Sequence, residues 1–83
     1  MDYTLKLINF IESRLLHAER MKNKAIAEAM MEQAFGAVTF YAVTFYAEIL
    51  LEKGNAEEDL RYIENLWDNE YNQKFYDTIA QGE

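Results

Sequence analysis

Ser13 and His17 stand four residues apart, the one place in this chain where a hydroxyl and an imidazole would share a helix face. Together they are the raw material for nucleophilic catalysis, which also needs an oriented base and an oxyanion site. A helix interior offers no free amides for that site, so the pair reads as a solvent-facing serine and a histidine that suits the negative end of a helix dipole. Three carboxylate pairs share the same spacing, Glu28/Glu32, Glu48/Glu52 and Glu64/Asp68. Carboxylates without histidine suit at most a hard cation, and the Glu-x-x-His motif of di-iron bundles is absent. Glu48/Glu52, beside the apolar segment, is the best of the three, yet solvated acidic faces account for all of them. The glycines Gly36, Gly54 and Gly82 are too far apart for a phosphate-cradling loop. No catalytic residue, cofactor site or metal site is assigned.

Charge narrows the partners. The chain has 83 residues, a net charge of −7, no cysteine and no proline. Disulfide frameworks and thiolate zinc sites are therefore excluded. Residues 1–24 carry a local +2, residues 25–54 carry −3 and residues 55–83 carry −6. Arg14, Arg20, Lys22 and Lys24 form a small basic cluster that a helix end would attract on its own account. Such a balance argues against direct nucleic-acid binding, which needs a basic footprint. A helix-turn-helix reading fails as well, because GAVTFYAVTFYA has no Arg, Lys, Asn or Gln to read a base edge.

The elements that would position these groups are three helices over residues 4–21, 24–53 and 56–80, within one domain of residues 1–83. Thr4 or Asp2 offers a cap to the first, whose face runs Leu5, Ile8, Ile11, Leu15, Ala18, widened by Leu7, Phe10 and Leu16. Gly54 suits the left-handed position ending the second helix. Asn55 and Glu58 approximate a capping box for the third, whose apolar residues are Leu60, Ile63, Trp67, Tyr71, Phe75 and Ile79. The expected fold is an all-α three-helix bundle with a long, highly apolar central helix.

That central helix contains the tandem repeat VTFYA–VTFYA over residues 38–47, inside an uncharged run from Gln33 to Ala47. Its residues are strong strand formers. A helix is nevertheless expected, because no second strand exists to satisfy a lone buried one. The run is shorter than the ~20 residues of a spanning helix, so no membrane association is expected. A five-residue repeat rotates equivalent side chains by about 140°, placing aromatic pairs on different faces. Phe40, Tyr41, Phe45 and Tyr46 then point in too many directions for one small core, and some are expected to meet a second copy in a homodimer.

The third helix carries Glu57, Glu64 and Asp68 down one face. Carboxylates on a stiff helix can imitate a phosphate line and occupy a basic groove. Two functions follow as expectations. The first is a small acidic, non-enzymatic, self-associating interaction or adaptor module in the cytoplasm, since no export signal opens the chain. The alternative is a phage-type inhibitor, a counter-defence or nucleic-acid-mimic protein, that covers a basic surface of a nucleic-acid-binding protein.

Overall fold

The computed structural model describes residues 3–83, and every element in it is helical. Helix α1 spans Tyr3–Met21, α2 spans Lys24–Leu50, α3 spans Ala56–Leu66 and α4 spans Asn72–Gln81. A π-helical turn at Trp67–Tyr71 joins α3 to α4 without leaving helical backbone angles. The chain thus makes the expected all-α three-helix bundle, an elongated body of 46 × 19 × 16 Å. α2 packs against α1, α3 and α4, and α1 also meets α3 and α4. The tandem repeat lies wholly within α2.

Helix ends depart from expectation at the start of α1, the end of α2 and the start of α3. Asp2 lies outside the described residues, and Thr4 is no cap: it sits inside α1, buried, with its hydroxyl lacking a partner among the described residues. The buried stripe of α1 accordingly runs Thr4, Leu7, Ile11, Leu15, Ala18, while Leu5 is 55% exposed. Asn23 caps α2, its Oδ1 accepting from the Ile26 amide at 3.0 Å. α2 then stops at Leu50 rather than at residue 53. The Glu52 amide donates to the Ile49 carbonyl and the Lys53 amide to the Glu48 carbonyl, which closes the last turn around a left-handed Glu52 (φ 53°). Gly54 (φ 57°) is a second left-handed residue two positions on. Asn55 makes no side-chain cap to α3, so the capping box with Glu58 does not form.

The π turn has a cause in residue spacing. From Ile63 the apolar positions advance in four successive steps of four residues, through Trp67, Tyr71 and Phe75 to Ile79. In an α-helix each such step overshoots a full turn by about 40°, and the row would wander off the core. A π turn is wider, with i→i+5 hydrogen bonds such as Asn72 N–H to the Trp67 carbonyl. Over five residues it takes back on the order of 90°. Trp67, Tyr71 and Phe75 therefore all stay buried, with Ile79 packed beside them.

Residues 82–83 close over the α1–α2 turn. The Lys24 amide, at the start of α2, donates to the Glu83 carbonyl, and the Glu83 amide donates to the Lys22 carbonyl. Gly82 lies so close to this turn that a Cβ would stand 2.6 Å from the Lys24 nitrogen. Only glycine permits that approach without a backbone shift.

Candidate interaction surface

Along α2, Ala27, Ala34, Val38 and Phe45 turn inward into the core. The opposite side carries Gly36, Phe40, Val43, Ala47 and Leu50, spaced four, three, four and three residues apart. This is the spacing that keeps one seam of a helix facing a partner helix. All five are exposed, with Phe40 at 69%, Val43 at 66% and Leu50 at 84%. Tyr46 and Leu51 extend the patch at 55% and 65%. Thr39, on the same side, donates its hydroxyl to the Phe35 carbonyl at 3.1 Å, so it makes no polar demand on a partner.

The four aromatic residues expected at the interface separate. Phe40 and Tyr46 are exposed. Tyr41 is half-buried, its ring 6.1 Å from that of Tyr3 and met edge-on by Phe40 at 5.8 Å. Phe45 is 1% exposed and belongs to this chain's own core, so it has no surface to offer a second copy. The cause is rotation: Phe45 falls about 140° from Phe40 around the helix, on the side where α1 and α3 close in. Val43 and Leu50 join Phe40 through the 4-3-4-3 spacing, a local signal in the sequence that the aromatic residues alone do not show.

The third helix presents Glu57, Glu64 and Asp68 to solvent. Glu57 accepts from Arg61 at 2.9 Å, an exposed pair of one helical turn, and Asp68 lies within the π turn.

The chemistry-bearing residues are kept apart. Ser13 donates to the Phe10 carbonyl at 2.9 Å and accepts from the Arg14 Nε at 3.3 Å; no hydrogen bond joins it to His17 among the described residues. Arg14 also reaches Gln33 Oε1 at 3.4 Å and lies 5.4 Å from the centre of the Phe10 ring, so it staples α1 to α2. Glu48 and Glu52 no longer share a helix face, because Glu52 has entered the left-handed turn. Among the described residues no three His, Asp or Glu side chains gather as metal ligands, and no helix is long and apolar enough to cross a membrane. The Tyr71 hydroxyl is held well above the ordinary phenol range. Burial is the main cause, followed by its hydrogen bond to Glu12 and by the negative charges of Glu12 and Glu70.

Comparison with protein-family models, with curated proteins and with solved structures returns no match.

Proposed function

We propose that the protein is a small, acidic, non-enzymatic interaction module of the cytoplasm that self-associates as a two-fold dimer through the outer face of α2. The observation that carries this reading is the exposed seam of Phe40, Val43 and Leu50, with Tyr46 and Leu51 beside it. These five side chains leave on the order of 600 Å² of apolar surface open, the upper end of what ordinary monomers show. A standard interface covers about 800 Å² per partner, which the seam approaches once Gly36, Thr39 and Ala47 are included. None of Gly36, Phe40, Val43, Tyr46, Ala47, Leu50 and Leu51 carries a charge, so the seam suits an identical uncharged surface better than a charged one. A two-fold pairing is the commonest closed arrangement.

Light scattering at about 100 μM, a generous concentration for a stable dimer, tests the reading. A mass near twice 9.8 kDa is expected, reverting to the monomer in Phe40→Glu/Leu50→Glu. A monomer in the unaltered chain overturns it.

A second reading rests on the exposed Glu57, Glu64 and Asp68: an inhibitor of phage type that covers a basic nucleic-acid-binding surface. Salt separates the two. Two chains of charge −7 repel, so added salt strengthens self-association, whereas docking on a basic protein weakens as its charges are screened. Reversing Glu57, Glu64 and Asp68 to lysine abolishes the second kind of binding and spares the first.

A further inference from the structure

Between the first half of α2 and α4 runs an open cleft of about 490 Å³. It is lined by Met31 and Phe35 from α2 and by Tyr76, Ile79 and the polar Asn72 from α4, together with the carboxylates of Glu28 and Glu32. Phe35 and Tyr76 are 52% and 55% exposed. We infer that this cleft is a docking groove for a basic amphipathic helical segment of a partner protein.

Four observations carry the inference. Apolar side chains line the groove from both helices, the arrangement in which one helix lays its apolar face between two others. Phe35 is held in place from beneath, its ring 5.6 Å from that of Trp67, which itself stacks on Phe75 at 5.8 Å. A wall that is already ordered loses little freedom on binding, and the unbranched Met31 adapts to whatever side chain enters. Glu28 and Glu32 stand one helical turn apart, exposed, and neither joins an ion pair among the described residues. They match Lys or Arg placed one turn apart on a ligand helix.

The groove is separate from the dimer seam in height and in angle. It uses residues 28–35 of α2, whereas the seam uses 36–50 and lies about a quarter turn further round the helix. Both can be filled at once, and a dimer would then present two grooves.

The single tryptophan makes the test direct. Trp67 is 5% exposed beneath Phe35, so a ligand in the groove changes its emission. The probe is a 15-residue synthetic peptide with leucine and lysine at helical spacing, titrated beside a scrambled peptide of equal composition. The helical peptide is expected to shift Trp67 emission on binding and the scrambled one to leave it unmoved. Glu28→Lys/Glu32→Lys and, separately, Tyr76→Ala are each expected to weaken affinity about tenfold. Reversal of Glu57, Glu64 and Asp68, a larger change in net charge, is expected to alter it less than about twofold. Circular dichroism confirms that each variant stays helical, and Tyr76 lies outside the core, so loss of binding is not loss of fold. Equal weakening by the α3 reversal, equal response to the scrambled peptide, or unmoved Trp67 emission overturns the groove. None of these results bears on the dimer mass, which reports the other surface.

Discussion

The Tyr71 hydroxyl donates to Glu12 Oε1 at 2.8 Å, tying the π turn of the third helix to the middle of α1 across 59 residues of sequence. The Tyr71 ring is buried and Lys74 Nζ lies 5.6 Å from its centre, so the phenol is held by an anion at its tip and a cation at its face. Ionising the phenol would set it against Glu12 and strand a charge in the core. The folded state therefore keeps its proton at pH values where the unfolded chain has lost it.

The sign of the pH dependence follows. The folded pKa is raised, so the stabilisation is fully present below the ordinary tyrosine pKa near 10 and is lost as pH climbs above it. The slope for one proton is about 1.4 kcal/mol per pH unit. Denaturant melts from pH 7 to 11 are expected to show this alkaline limb in the unaltered chain. Tyr71→Phe should cost about 1 kcal/mol at neutral pH for the lost hydrogen bond and flatten the limb. Parallel limbs in the two proteins would refute the assignment.

Lys22 (φ 50°) and Glu52 (φ 53°) both hold left-handed backbone, a conformation that strains a side chain carrying a Cβ. Lys22→Gly and Glu52→Gly are each expected to stabilise the fold by about 0.5–1 kcal/mol in thermal melts, the strain relieved exceeding the added freedom of the unfolded chain. The reverse holds at Gly54 (φ 57°). A Cβ there meets nothing within 4 Å, so Gly54→Ala should destabilise by about 1 kcal/mol through backbone strain alone.

Deleting Asn69 from the π turn shortens the apolar step from Trp67 to Tyr71 from four residues to three. An ordinary α-helix then keeps the row on one face. The deletion should remain folded, with a melting temperature within a few degrees of the parent. An extra alanine after Asn69 widens the step to five and should cost several times more, since Tyr71 and Phe75 would be driven off the core. If insertion and deletion prove equally damaging, the spacing argument for the π turn fails.

Phe40 and Phe45 occupy equivalent places in the tandem repeat and opposite places in the molecule. Phe45→Ala empties a fully buried site and is expected to cost about 3–5 kcal/mol in chemical denaturation. Phe40→Ala, at a site 69% exposed, should change monomer stability by no more than about 0.5 kcal/mol while weakening self-association. Denaturation of Phe45→Ala and Phe40→Ala in a Val43→Glu/Leu50→Glu background, which leaves position 40 free to vary, keeps the two effects separate.

Helix content, the break at Lys22–Asn23 and the buried row Leu60, Ile63, Trp67, Tyr71, Phe75 were legible in the order of residues, because local spacing and the need to pair every backbone amide leave few alternatives. The strand-forming repeat in α2 yields to the same need. The third helix is expected to run unbroken over residues 56–80, and the π turn that interrupts it at Trp67–Tyr71 accommodates the four-residue steps after Ile63. The 4-3-4-3 seam around Phe40 was local. Tertiary structure decided what local pattern leaves open: which member of each Phe-Tyr pair turns inward, and which strained residue ends each helix. Phe45 is core because α1 and α3 close on its side of α2, and Phe40 is surface because nothing does. A five-residue repeat makes that helix apolar in several directions, so its sequence alone names no inside. Only the placement of the other two helices does.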